Sequence, residues 1–422
     1  MHCLWGLLTA SPILTKKNMK ACGITAEFNP LHNGHEYIMK EARKLTDCDA
    51  VVVAMSGNYV QRGEPAIMDK WARTKAALSC GADLVIEIPT VHCLSDAGRY
   101  ARASVTLLES LGCTEYICFG SGSGDENTLK ELALLIKEHG TEINNMIKEL
   151  SLKGLSYPAA REEALTDMMQ EESVITNIKK VLGNPNDVLA LEYMISSKVA
   201  KPVCVKRKGS EYDSAFDEKA SIQSAGGIRE IIRREGIDKA RNKIYGFMPK
   251  NSLELLTNGV LTYPDEWTEI LKYAVINSSP ENIDKCPSGG EGLGNLFKKA
   301  VNTCDTWDEI IKYCKSKRYT YTRLSRLAMQ IILGMNDSDN DIAPEYIRIL
   351  GFSDKGRELL SYIKRNELNK LPIITNINKE IKHFSESASE MIEKEVRYTD
   401  IYNIITGRDS TAFSDHIHMT VM

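Results

Sequence analysis

Along the first 130 residues, short runs of apolar, β-branched side chains alternate with stretches whose apolar positions recur every three or four residues. The runs are Ala21–Ala26, Ala50–Met55, Leu84–Ile88 and Tyr116–Phe119; the helical patterns are Tyr37–Leu45, Lys70–Cys80, Arg99–Leu111 and Leu129–His139. Successive βα units of this kind predict an α/β domain with a doubly wound parallel sheet, whose ligands bind beyond the C-terminal ends of the strands. A mainly helical stretch from Glu142 to Met168 follows, the Gly183-Asn184-Pro185-Asn186-Asp187 turn leads into a helix near Val188, and Pro202–Val205 reads as a further strand. After about Arg241 long amphipathic patterns replace the β-branched runs, which predicts an all-helical C-terminal domain and a boundary between 235 and 250. Ser278-Ser279-Pro280 and Asn336–Asn340 read as loops.

With 422 residues the chain is long enough for two or three domains, and 43% hydrophobic and 26% charged residues are the balance of an ordinary globular protein. No run approaches the ~18 apolar residues of a membrane span. A net charge of -4 removes the simplest argument for nucleic-acid binding, so any such contact must come from local basic patches. Eleven cysteines without a CxxC pair suggest neither a zinc knuckle nor a disulfide framework, and fit free thiols in a reducing cytosol. In residues 1–18 the apolar run Leu4–Leu8 precedes Lys16 and Lys17, the reverse of a secretory signal. We therefore read residues 1–18 as a dispensable extension, 19–240 as the α/β domain, 241–422 as the helical domain, and the chain as cytoplasmic.

Between the first strand and first helix stands Glu27-Phe28-Asn29-Pro30-Leu31-His32-Asn33-Gly34-His35. Pro30 ends the strand, Gly34 lets a phosphate approach the backbone, and two imidazoles sit at the positive end of a helix. Two histidine donors there can hold a triphosphate and stabilise charge on an α-phosphate under attack. This is a phosphate-transfer site without a P-loop.

The segment resembles the HxGH signature of the nucleotidylyltransferase superfamily, which includes the class I aminoacyl-tRNA synthetases. More of the chain narrows the match: Met55-Ser56-Gly57-Asn58-Tyr59-Val60-Gln61-Arg62-Gly63-Glu64-Pro65-Ala66 with Lys70-Trp71-Ala72-Arg73, then Asp83–Pro89, Phe119-Gly120-Ser121 and Pro185-Asn186-Asp187, are similar to the bacterial tRNA(Met) cytidine acetate ligase family. The resemblance runs from Lys20 to about Leu360. It implies a Rossmann-like, nucleotidylyltransferase-type sheet and an enzyme that adenylates acetate with ATP and passes the acetyl group to N4 of the wobble cytidine of elongator tRNA(Met). It further implies His32 and His35 as catalytic residues and ATP along Thr25, Ala26, Glu27, Phe28, Asn29, Pro30, Leu31, His32, Asn33, Gly34, His35, Glu36, Tyr37 and Ile38. Gly120, Asn186 and Arg207 would be further nucleotide contacts. The competing reading is a small-molecule adenylyltransferase of coenzyme biosynthesis.

Asn29 either shapes the turn or touches ligand, and Asn186 either caps a helix or binds nucleotide. Ser224-Ala225-Gly226-Gly227-Ile228-Arg229 occupies the place of a Ser-x-Thr-x-x-Arg phosphate loop, with Gly226 where threonine is expected, leaving Ser224 and Arg229 as candidate contacts. Ser56, Gly57, Gln61 and Arg62 are candidates for the acetate pocket. Mg²⁺ is the usual companion of a triphosphate, although no HExxH or carboxylate cluster marks its ligands. For tRNA, Lys315, Lys317, Arg318, Tyr319, Tyr321, Arg323 and Arg326 combine cations for phosphates with tyrosines for unpaired bases. A second basic run, Arg229, Arg233, Arg234, Lys239, Arg241 and Lys243, lies near the domain boundary, so a cleft between the domains is the expected anticodon-stem path. No protein partner is implied. His416 and His418 read as incidental.

Overall fold

The computed structural model describes residues 18–169, 171–208, 216–217, 220–407, 415 and 420–421. Residues 1–17 of the expected extension, His416 and His418 lie outside the described residues. In chain order the first region includes β1 (Ala21–Ala26), α1 (Asn33–Thr46), β2 (Ala50–Ser56), α2 (Lys70–Ser79), β3 (Leu84–Ile88), α3 (Ala97–Glu109), β4 (Thr114–Ser121), α4 (Glu126–Leu152), α5 (Pro185–Ser196), β5 (Lys201–Lys206) and α6 (Ala225–Glu235). β1 pairs in parallel with β2 and β4, β2 with β3, and β4 with β5, giving the order β3-β2-β1-β4-β5.

Every residue of β2 is buried, as its near-continuous apolar run requires of a strand covered on both faces. Alternate side chains serve the two faces. Val52 and Ile86 meet Leu107 and Leu108 of α3 and Leu191 of α5; Val51, Val53 and Val85 meet Met39 and Ala42 of α1 and Ala76 and Ala77 of α2. Each such Val or Leu contributes roughly 1.5–3 kcal/mol on burial. Asp69 and Asp96 fix where α2 and α3 begin by accepting the amides of Ala72 and Arg99. Strand order reverses between β1 and β4, and this opens the crevice that holds the site.

Beyond Arg241 the chain is helical as far as α7 (Tyr321–Leu333), around Trp267, Phe297, Trp307, Leu324 and Leu327. That core is shared with the first region. Tyr59, from the hairpin Tyr59–Val60/Glu64–Pro65, stands edge-on to Trp267 at 5.7 Å and donates to the carbonyl of Tyr398 at 2.8 Å.

The all-helical expectation does not extend past α7. β6 (Ile347–Phe352) returns to the sheet and pairs antiparallel with β3, Leu84 opposite Phe352 and Glu87 opposite Arg348. Ile373–Ile374 and Thr420–Val421 pair in parallel with β6. A six-residue, mostly apolar run interrupted by Arg348 among helical patterns cannot be assigned by periodicity, and its partner lies some 260 residues upstream, about as non-local as a contact here can be. The pairing brings charges together inside. Lys70 Nζ lies 2.7 Å from Glu87 and 2.8 Å from Asp415, and Arg348 faces both carboxylates at 3.5 Å. Among the described residues no helix is long and apolar enough to cross a membrane.

Candidate active site

The crevice is lined by the ends of β1, β4 and β5 and by the N-terminal ends of α1, α5 and α6. Three helix starts therefore aim their partial positive charge at one space, an arrangement suited to polyphosphate.

α1 begins with a capping box built from the two histidines. The backbone N–H of Gly34 donates to His32 Nδ1 at 3.0 Å, and the backbone N–H of His32 donates to His35 Nδ1 at 3.3 Å. An imidazole nitrogen that accepts a hydrogen bond carries no proton, so each neutral ring must hold its proton on Nε2. Burial together with the Arg207 charge lowers His32 to about 3, and burial, His32 and Arg207 hold His35 well below the usual histidine range. Both rings, 3.9 Å apart, are thus neutral Nε2–H donors near pH 7. Phe28, buried with its backbone at φ 48, turns the chain out of β1 and packs against His35 at 5.0 Å.

Arg207 is exposed at the rim and donates from Nη1 to Asn186 Oδ1 at 2.9 Å, so Asn186 orients the guanidinium. Helix capping at α5 falls instead to Asn184, which accepts the amides of Asn186 and Asp187. A Cβ on Gly120 would stand 3.1 Å from the Arg207 stem. Ser224 caps α6 by accepting Gly227 N–H at 3.0 Å, and Arg229 reaches back to the Asn29 carbonyl at 2.7 Å. Asn29 accepts from Ile67 N–H at 2.7 Å, while its Nδ2 is a buried donor without a partner among the described residues. Both roles considered for Asn29 are therefore compatible with one side chain.

Of the proposed nucleotide contacts, Thr25–Asn29, His32, Gly34, His35, Tyr37, Ile38, Gly120, Asn186 and Arg207 line the crevice, as do Ser224 and Arg229. Pro30, Leu31, Asn33 and Glu36 do not appear in the lining. Leu31 is buried in the core, Asn33 donates to the Gly246 carbonyl, and Glu36 pairs with Lys40. Gln61 and Arg62 line the crevice, whereas Ser56 and Gly57 sit behind it. Their carbonyls accept from Arg73, which also donates to the carbonyls of Glu27 and Met68. Sequence reasoning missed this role of Arg73; a basic residue on an amphipathic helix carries no signal that it is buried.

The basic tyrosine block divides. Lys315, Lys317 and Arg318 are exposed, the last paired with Glu291 at 2.8 Å. Tyr319 packs on Arg323, whose guanidinium donates to the carbonyls of Ser288 and Gly289, and Tyr321 donates to Asp308. Arg326 is buried and donates to the Gln61 carbonyl at 3.3 Å, while Ser325 Oγ donates to the Gly63 carbonyl at 2.9 Å. The start of α7 therefore clamps the loop carrying Gln61 and Arg62 and is not an open face. In the second run Arg229 lines the crevice, Arg233 pairs with Asp265, Arg234 and Lys243 pair with Glu235, and Lys239 and Arg241 are exposed.

Residues 19–415 match the model of the family described as HIGH nucleotidyl transferase. A relative from Clostridium perfringens named tRNA(Met) cytidine acetate ligase is 37% identical over 92% of this chain and 96% of its own. One of the same name from Thermoanaerobacter sp. is 38% identical over 95% of this chain and 99% of its own. Among solved structures, apo Thermotoga maritima TmcAL aligns with TM-score 0.87 and 30% identity over 96% of this chain and 100% of its own. The same protein bound with alpha-thio ATP aligns with TM-score 0.83 and 29% identity over the same shares.

Proposed function

The chain belongs to the HIGH nucleotidyl transferase family and, within it, to the tRNA(Met) cytidine acetate ligases, and from that premise we propose that its crevice joins acetate to ATP and delivers the acetyl group to N4 of the wobble cytidine of elongator tRNA(Met). The observation that carries this reading is the histidine pair, whose Nδ1 atoms are both occupied by backbone N–H groups. An acetate oxygen attacks the α-phosphorus of ATP, and pyrophosphate leaves. The Nε2–H donors of His32 and His35 and the Arg207 guanidinium stabilise charge growing on the α-phosphate oxygens. The departing pyrophosphate is held at the α6 N-terminus and Arg229. Adenine lies against Gly120 between Ile38, Leu189 and Val205, which are apolar walls of the same crevice.

The acetyl-adenylate carbonyl is then attacked by the cytidine amine, with AMP as the leaving group. No enzyme nucleophile is needed, in keeping with a crevice lining that holds no cysteine among the described residues. Magnesium would come with ATP, coordinated by phosphate oxygens and water, because among the described residues no group of three His, Cys, Asp or Glu could hold a metal ion. The anticodon stem follows exposed Lys315, Lys317 and Arg318 toward Lys239 and Arg241, with residues 241–422 as the tRNA-binding region and 19–240 as the catalytic one. The reaction requires no protein partner, and the setting we assign is the cytoplasm.

Labelled acetate incubated with total bacterial tRNA, with and without ATP, tests this. ATP-dependent labelling of a methionine tRNA, lost in His35→Ala, is the expected result. Labelling that is absent while another small acceptor drives pyrophosphate release would support an adenylyltransferase of coenzyme biosynthesis instead.

A further inference from the structure

The acyl-transfer step releases a proton, because the cytidine amine becomes acidic only as its nitrogen bonds to the acetyl carbon. A positioned base that takes this proton contributes about 10²–10⁴ in rate. The histidines, the usual choice, are disqualified by their own hydrogen bonds. Each Nδ1 already accepts a backbone N–H, and each Nε2 therefore carries the proton. Of the other ionisable groups in the lining, Arg62, Arg207, Lys208 and Arg229 are cationic, and Tyr37, Tyr100 and Tyr193 are phenols, that of buried Tyr100 held well above its ordinary range. One carboxylate lines the crevice among the described residues, and it is Glu27.

Glu27 is fixed at both ends. Its main-chain carbonyl accepts from Arg73 Nη1 at 2.7 Å, and its Oε1 accepts the backbone N–H of Gln61 at 2.9 Å. Gln61 is itself pinned, since its Nε2 donates to the Ser95 carbonyl at 3.2 Å and its carbonyl accepts from Arg326. Oε2 has no hydrogen-bond partner among the described residues. A carboxylate with one oxygen anchored and the other open, five residues before the HxGH motif and in the same crevice, has the geometry of a proton acceptor. Desolvation pushes its carboxyl up from the ordinary range, against the pull of the Arg62 and Arg229 charges.

We propose that Glu27 is the general base of acetyl transfer, a role that rests on the ligase reading above. As the cytidine nitrogen forms its bond to the acetyl carbon, Oε2 removes the proton from that nitrogen. The bond between the acetyl carbon and the phosphate oxygen breaks, and AMP leaves with that electron pair. The protonated Glu27 returns its proton to solvent. Adenylation of acetate needs no such base, because acetate reacts as its anion.

The two half-reactions can be measured separately in the full chain. Acetyl-adenylate is trapped with hydroxylamine as acetohydroxamate, and transfer is followed as labelled acetyl on tRNA. Glu27→Gln keeps an oxygen for the Gln61 N–H and loses the proton acceptor. The expected result is an acetyl transfer rate that falls about 10²–10⁴ further than the rate of acetohydroxamate formation in the same variant. The acid limb of the transfer pH profile should also vanish in Glu27→Gln, and Glu27→Asp should regain part of the rate. Transfer at the parental rate in Glu27→Gln, or equal loss of both half-reactions, overturns the proposal. A parent that forms no acetohydroxamate from acetate and ATP would overturn the ligase reading, and this assignment with it.

Discussion

Gly34 lies so close to His32 that a Cβ at that position would stand 2.7 Å from His32 Cε1 and 3.0 Å from Nδ1. The glycine of the HxGH motif thus serves the histidine before it, letting a main-chain N–H reach the ring and set its tautomer. Gly34→Ala should force the His32 ring to rotate and its Nε2–H to miss the nucleotide. Alanine early in a helix is favoured by up to about 1 kcal/mol over glycine, which offsets part of the crowding. The expected outcome is ATP binding weakened at least about tenfold, the loss of one charge-assisted contact of roughly 1.5–3 kcal/mol, with a melting temperature within a few degrees of the parent. Calorimetric titration with ATP and thermal unfolding of the same samples check this; unchanged affinity would refute the role given to Gly34.

The same ring makes stability depend on pH. Burial holds His32 at about 3, against 6.5 for an ordinary histidine, so between those values the unfolded chain binds a proton that the folded chain refuses. Stability from this group is therefore complete above about pH 6.5 and is lost as pH falls toward 3. Lowering pH from 7.5 to 5.5 should cost about 1 kcal/mol through His32. His35, depressed in the same direction, adds to the loss. His32→Asn keeps an N-cap acceptor and does not titrate. Urea unfolding at both pH values should show the parent losing about 1 kcal/mol more than the variant; equal losses would mean that His32 is not a buried neutral ring.

The strands β1 and β3 coincide with their apolar runs, and the HxGH loop falls between β1 and α1 as its residues predict. These features are local: period, proline and glycine report on the few residues around them. What stayed hidden is non-local. Glu87 is a charge inside the apolar strand Leu84-Val85-Ile86-Glu87-Ile88, a sign that a buried partner exists, but nothing nearby identifies it. The partners Lys70, Arg348 and Asp415 come from α2, β6 and the far end of the chain. Arg323 and Arg326 mislead in the same way. In the sequence they read as cations for RNA phosphates, yet the carbonyls of Ser288, Gly289 and Gln61, remote in sequence, turn both inward.

Arg73 is completely buried and serves four main-chain carbonyls, those of Glu27, Ser56, Gly57 and Met68. It ties the ends of β1 and β2 beneath the crevice. Methionine would leave those carbonyls without their donor, and lysine, with a single nitrogen, cannot span them. Arg73→Met should lower stability by about 3–5 kcal/mol, the range for breaking a buried polar network. Arg73→Lys should lose somewhat less and should raise the KM for ATP, as the Glu27 backbone shifts. Denaturant unfolding with steady-state kinetics tests both variants. A lysine variant with parental stability and KM would show that the carbonyl cage is dispensable.

The basic block of the helical region predicts two different phenotypes within twelve residues. Lys315, Lys317 and Arg318 are exposed, so removing their charge takes nothing from the core and should weaken only the encounter with an anionic partner. Replacing all three with glutamine should raise the KM for tRNA about five- to twentyfold, flatten its salt dependence, and leave acetohydroxamate formation unchanged. Arg326 is different, because it donates to the Gln61 carbonyl, and next to it Gly63, at φ 83, packs its backbone directly on the α7 backbone. A Cβ at Gly63 would come within 2.2 Å of the Arg326 amide nitrogen, so this contact has no slack. Arg326→Gln should therefore release the loop that holds Glu27 through the Gln61 N–H and slow acetyl transfer, with a KM for tRNA close to the parent's. Steady-state kinetics at two salt concentrations separates the two. If Arg326→Gln raises the KM for tRNA with salt sensitivity like that of the surface variant, Arg326 contacts RNA and the clamp is the wrong description.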